Sequence, residues 1–259
     1  MPANPPRDPA RRWLLLLTAL ILAACAAPPS APKKVALLAP FENQYREIGY
    51  NALYALRLAL DDAGSDTQLL ALDDGGTVKL ATARVDAFNR DPAAAAIIAL
   101  GPHATHANVQ KASQLPMLIV GNWGNSRAAA NTFYVANQEL TQAAKADDLL
   151  ALEQARALRD DLDGRDFRSS GSPLSENFRE RYLASDLYVP QPNLLATLVY
   201  DVAGLVFAAL ESKLPISQAA HTGINGLIQF QDGYWQGAPV HSYTIVAGEV
   251  VKSAPSTTP

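Results

Sequence analysis

Between Val35 and Val135, short apolar runs alternate with longer stretches of helical periodicity, and this alternation constrains the fold more than any other feature of the chain. Val35-Ala36-Leu37-Leu38-Ala39 is continuously apolar and stops at Pro40. Such a run suits a strand buried on both faces, as the strands of a parallel sheet are. A helix is expected from about Tyr45 to Ala63, stopped by Gly64, with a second strand over 67–72. Asp73-Asp74-Gly75-Gly76 turns the chain into a helix over about 77–89, where Val78, Ala81, Val85 and Phe88 share one face. Strands over 95–100, 116–120 and 132–135, with a helix over about 105–113, complete the pattern. The alternation predicts a doubly wound α/β fold built on a mainly parallel sheet.

The chain then changes character. A helical stretch rich in Ala, Asp and Arg is expected from about Glu139 to Leu162, and Asp163 to Gly171 reads as a polar loop. Ser172 is expected to cap a further helix with Pro173 at its first position. Gln191-Pro192 opens a strongly apolar helix to about Leu210, inside which Asp201 needs a partner if it is buried. Residues 226–230 and 240–246 read as strands, with Gly223, Gly226, Gly233 and Gly237 punctuating the turns.

Ahead of the folded part, Arg11 and Arg12 precede the apolar run Trp13 to Leu22, and the small pair Ala23-Ala24 leads into Cys25. A basic region, a hydrophobic region and a small-residue cleavage site make residues 1–24 an export signal. The run is shorter than the ~20 apolar residues of a spanning helix. Leu22-Ala23-Ala24-Cys25 also resembles the bacterial lipobox, which implies that Cys25 is acylated and becomes the mature N-terminus, anchored in a membrane of the cell envelope. Cys25 is the only cysteine, so no disulfide forms within the chain. Residues 25–33, with Pro28, Pro29 and Pro32, suit an extended tether, and 253–259 suit a flexible tail. Between them, residues 34–252 suffice for one moderate domain or two small ones. Loss of residues 1–24 removes Arg7, Arg11, Arg12 and Asp8, leaving 18 basic against 24 acidic groups and a net charge of about −6. Nucleic acid is not an expected partner.

Several blocks occur in a telling order: Val35 to Pro40, then Gly49, then Ala55 to Asp62 and Gly64; Ile97 to Pro102 with Thr105 and Pro116; Phe178-Arg179-Glu180-Arg181-Tyr182 with Pro192 and Tyr200-Asp201; Gly223 to Phe230 with Asp232-Gly233, then Tyr243 to Gly248. Together they resemble the leucine/isoleucine/valine-binding type of periplasmic binding protein, the type I fold that serves as the receptor of transport systems. Members of that family have two lobes that close on a ligand by hinge motion. Here about 35 residues, 138–172, stand where most of the second lobe belongs. The resemblance therefore implies essentially one α/β lobe over 34–252, with 138–172 as a helical remnant of the second.

In open α/β sheets, ligands sit beyond the carboxyl ends of the strands, near the point where strand order reverses. This rule gathers Phe41, Asn43 and Tyr45 after the first strand, Asp74 after the second, His103 and Thr105 after the third, and Asn122 and Trp123 after the fourth. By the resemblance, Thr105 stands where the family presents a hydroxyl to a ligand carboxylate, beside the free N–H groups of a helix start. The plain alternative for Thr105 is a helix cap. Asp73-Asp74-Gly75-Gly76 lacks the spaced oxygen ligands of a calcium loop, and His103 with His106 lacks companions for a metal. Neither a metal nor a cofactor is expected. The absence of a Gly-x-Ser-x-Gly elbow, a phosphate loop and a His-Glu-x-x-His motif argues against an enzyme.

Two functions remain. One is a membrane-anchored lipoprotein that recognises an amino acid or similar small polar solute for an ABC-type transporter, with its permease as partner. The other is an envelope protein-interaction module that has lost solute binding and contacts a cell-wall enzyme, as the lipoprotein activators of penicillin-binding proteins do.

Overall fold

The computed structural model describes residues 31–143, 163–247 and 249–253. All the elements belong to the unit that begins at Lys33. Four strands, β1 (Lys34–Ala39), β3 (Ala94–Ala99), β4 (Met117–Val120) and β5 (Thr132–Val135), are buried along most or all of their length. Their unbroken apolar runs have this physical cause: helices cover both faces of the sheet, so neither face is left for polar residues. At one edge β2 (Gln68–Asp73) is only half-buried. The full order is β2-β1-β3-β4-β5-β9-β8-β7, where β7 is Ala220–Gly223, β8 is Gly226–Gln231 and β9 is Tyr234–Trp235. Pairing is parallel from β2 through β9 and antiparallel from β9 through β8 to β7. The expected doubly wound, mainly parallel α/β sheet is thus observed, and strand order reverses between β1 and β3.

Right-handed crossovers send α1 (Arg46–Ala63) to one face and α2 (Val78–Asn89) and α3 (Ala107–Ala112) to the other. Gly64 ends α1 with φ +55°, a left-handed cap that a side chain would strain. Thr77 caps α2 by accepting the Leu80 N–H. The first helix is preceded by a short 3-10 turn, Asn43–Tyr45. The apolar helix α6 (Leu194–Ser212) packs beside α1 and against the sheet. By length and hydropathy α6 could cross a membrane, but 72 % of its apolar window is buried inside this domain, which makes it a core helix. A buried asparagine joins the helices on this face. Asn51 of α1 accepts the Asn193 N–H at 3.1 Å, and its carbonyl accepts the hydroxyl of Tyr182, from α5 (Glu176–Ala184), at 3.2 Å.

The second half departs from the sequence expectation in several places. Residues 163–171 were expected as a loop but contain β6 (Asp166–Ser169), whose alternation of exposed and buried residues is only four long and is masked by its charges. Ser175, not Ser172, caps α5 by accepting the Phe178 N–H, because Ser172 is drawn into a connection where its N–H donates to Asn225 Oδ1 at 2.6 Å. Asn193 caps α6. His106, not Thr105, caps α3. Within 138–172, expected to be a helical remnant, the described residues form α4 (Gln138–Ala143) and β6; the rest of the expected helix to Leu162 lies outside them.

A second sheet, β11-β10-β6, is built from β6, β10 (His241–Val246) and β11 (Glu249–Lys252), all antiparallel. It has a small core of its own: Phe167, Leu194, Tyr243 and Ile245. The chain passes between the two sheets three times, after β5, after β6 and after β9. Hydrogen bonds tie these passages together. The Asn137 N–H donates to Ser170 Oγ at 2.8 Å, Asn137 Nδ2 to the Ala238 carbonyl at 2.9 Å, and the Tyr243 hydroxyl to the Gly171 carbonyl at 2.6 Å.

Candidate functional site

The carboxyl ends of β1 to β4 bring the eight expected residues to one crest of the sheet, but half of them face inward. Asp73 holds the first two loops together. Its Oδ1 accepts the Phe41 N–H and its Oδ2 the Gly75 N–H, both at 2.9 Å. Asp74, 1 % exposed, accepts the Gly76 N–H at 2.8 Å through Oδ1, while Oδ2 has no hydrogen-bond partner. Burial holds this carboxyl above the usual range, opposed by the Gly76 N–H and by nearby His103.

Thr105 is fully buried and its hydroxyl is spent inside the lobe. Oγ1 donates to the Gly101 carbonyl at 2.8 Å and accepts from Asn125 Nδ2 at 2.9 Å. Three residues that sequence reasoning did not single out complete this network. Gln110 Nε2 donates to the Thr105 and Ser126 carbonyls and lies 3.2 Å from the Tyr134 hydroxyl, its Oε1 accepts the Ala128 N–H, and Tyr134 donates to the Asn125 carbonyl at 2.6 Å. Burial raises the Tyr134 phenol well above its ordinary value, so it stays a donor. Only the polar character of Gln110 at a buried helical position could have signalled this, because its partners lie on other loops.

Asn122 and Trp123 are likewise committed. Asn122 donates to the Leu140 carbonyl at 2.6 Å and accepts the Gly124 N–H, and Trp123, 3 % exposed, donates to the Val120 carbonyl and packs in the main core. What the crest does present is aromatic. Phe41 and Tyr45 are half-buried, Asn43 is exposed with φ +60°, and Tyr50 of α1, 41 % exposed, meets the Phe41 ring edge-on at 5.5 Å. His103 is half-buried, and His106 accepts the Asn108 N–H through Nδ1. Among the described residues no three His, Cys, Asp or Glu side chains converge to hold a metal. A cleft of about 470 Å³ lies elsewhere, at the ends of β5 and β9, bordered by Asn137, Glu139, Asp232, Tyr234 and Gln236. None of the eight expected residues lines it.

This strand order, with loops from four strand ends at one crest, defines the α/β fold of type I periplasmic binding proteins. Solved structures of solute-binding proteins, among them leucine/isoleucine/valine-binding ones of ABC transporters, share it across most of the chain. The solute-binding protein of an R. palustris ABC transporter, in complex with benzoate, matches with TM-score 0.59 at 13 % identity, covering 86 % of this chain and 95 % of that one. The branched-chain amino acid transporter substrate-binding protein of Streptococcus pneumoniae, in complex with isoleucine, matches with TM-score 0.60 at 14 % identity over 86 % of this chain and 100 % of that one. An extracellular ligand binding receptor from Desulfohalobium retbaense matches with TM-score 0.65 at 14 % identity over 85 % of this chain but only 59 % of its own. No family model and no curated protein matches the sequence. These neighbours are binding proteins rather than enzymes. At such identities they establish the fold alone.

Proposed function

We propose that this chain is an envelope lipoprotein whose lobe works as a protein-interaction module, docking a partner on the aromatic crest around Phe41, Tyr45 and Tyr50. The observation that carries this reading is the inward commitment of Thr105, Asn122 and Trp123. A compact polar solute needs polar groups free to bind it and walls that bury most of its surface. The crest instead offers half-exposed aromatic rings, the side chains enriched at protein interfaces. Export by residues 1–24, lipid on Cys25 and a tether over 25–33 would hold the module at the membrane. The partner class is a protein of the envelope, such as a cell-wall enzyme.

A photo-reactive residue placed at the exposed Asn43 is expected to crosslink one discrete envelope protein in intact cells. Loss of all crosslinking, with the protein folded and abundant, would overturn the reading. Cys25→Ser is expected to move the protein from the membrane to the soluble fraction; retention in the membrane removes the lipid anchor from the proposal.

The alternative, solute capture for an ABC-type transporter, is favoured by the neighbours solved with benzoate and isoleucine. Calorimetry with amino acids and aromatic acids separates the two, since saturable micromolar binding supports only the alternative. Thr105→Val gives a second discriminator. It leaves Asn125 Nδ2 with only the Pro102 carbonyl as acceptor and loses a bond to the Gly101 carbonyl, so it is expected to lower stability by about 1–2 kcal/mol. A variant of unchanged stability that loses solute binding would favour the transport reading.

A further inference from the structure

Leu187 and Tyr188 are the most exposed large apolar side chains among the described residues, at 83 % and 81 %, whereas the next reaches 55 %. They are adjacent, and the loop that carries them is fastened on both sides. Before them, Ser185 Oγ donates to the Tyr182 carbonyl at 2.7 Å and Asp186 pairs with Arg57 of α1 at 3.7 Å. After them, Val189 packs against the main core. The loop therefore presents a leucine and a tyrosine outward from a fixed base.

The position of this tip follows from the topology. Helix α1 runs antiparallel to β1, ending at Ala63, close to where Lys34 at the start of β1 pairs with Gln68. Arg57, the partner of Asp186, lies about 9 Å along the helix from that end, at 1.5 Å per residue. The base of the tip therefore lies along the flank of α1, between Arg57 and the crest-side Asn51 that holds Asn193. Cys25 precedes Lys33 by eight residues, which span at most about 28 Å when extended. A lipid on Cys25 would keep the start of β1 within that reach of a bilayer.

Resting on the lipid anchor of the proposed function, we infer that Leu187 and Tyr188 dip into the headgroup interface of the anchoring membrane. Tyrosine is enriched at that depth, where its ring is shielded and its hydroxyl stays hydrated, and leucine adds apolar contact. Asp186, the nearest acidic group in sequence, is already paired with Arg57.

The single thiol allows a test that does not depend on lipidation in cells. The mature chain from Cys25 is coupled through that cysteine to maleimide lipid in vesicles of phosphatidylethanolamine and phosphatidylglycerol with brominated acyl chains. A tryptophan is then introduced at the tip by Tyr188→Trp or, as a control, on β8 by Leu227→Trp, a site 48 % exposed. The added fluorescence at position 188 is expected to shift blue and to be quenched at least about twofold more than at position 227. Equal quenching at the two sites overturns the inference, as does a vesicle-independent blue shift, which would mean that a second copy covers the tip. Fractionation of Cys25→Ser cells reports on the anchor separately.

Discussion

Gly49→Ala is expected to destabilise the domain by roughly 2–3 kcal/mol and to lower its melting temperature by about 5–10 °C, although alanine is the better helix former by ~1 kcal/mol. The loop leaving β1 folds back over the first turn of α1. A Cβ built on Gly49 would overlap the Pro40 carbonyl oxygen and stand 2.9 Å from its carbon. The obstacle is backbone, so no rotamer change relieves it. Either α1 moves away from β1, or the Pro40–Phe41 corner shifts and loosens the bond from the Phe41 N–H to Asp73. Thermal unfolding followed by circular dichroism measures the effect, and a melting temperature equal to or above that of the unchanged protein would show that the close approach is not maintained. Because the same corner carries Phe41, the variant should also weaken the crosslink from Asn43 while the fold persists.

The α/β half was legible because its signal is local. Buried parallel strands read as unbroken apolar runs, Thr77 and Gly64 mark helix ends by their own chemistry, and residues 132–135 form β5 as expected. The strands that escaped notice, β6, β7, β9 and β11, are four, four, two and four residues long, too short for alternation to rise above the turns around them. The crest was legible in position but not in state. Topology places Thr105, Asn122 and Trp123 at strand ends, yet what each side chain does depends on partners elsewhere. Thr105 meets Asn125, twenty residues on, and Asn122 meets Leu140, eighteen residues on. A hydroxyl reserved for a ligand and one consumed by a neighbouring loop have the same sequence. For the same reason Asn51, which joins α1, α5 and α6 across more than a hundred residues, carried no signal at all.

Asp201 shows what such a distant partnership is worth. This fully buried carboxylate inside α6 accepts the Ile224 N–H at 2.9 Å, the Asn225 N–H at 2.7 Å and Asn225 Nδ2 at 2.7 Å, thereby holding the turn between β7 and β8. Asn225 in turn accepts the Ser172 N–H, so the carboxylate also steadies a passage to the second sheet. Asp201→Ala leaves three donors without an acceptor, and a loss of about 3–5 kcal/mol is expected, read as a fall of roughly 10–15 °C in melting temperature. Asp201→Asn keeps the shape and one acceptor, and about half that loss is expected. The pH dependence fixes the cause. Burial is the largest influence on this carboxyl and raises it above its ordinary value, against the pull of the Asn225 and Ile224 N–H groups and of His221. A carboxyl raised on folding contributes stability that is fully present below its unfolded value of 3.8 and is lost as pH rises through the folded value. The asparagine variant has no such loss, so its shortfall against the unchanged protein should be largest in acid and narrow toward neutral pH. Urea unfolding of both proteins across that range decides the matter. A shortfall that widens with pH would mean that the three N–H donors outweigh burial, and Asp201 would then stabilise the fold as a charge rather than as an acceptor carried at a cost.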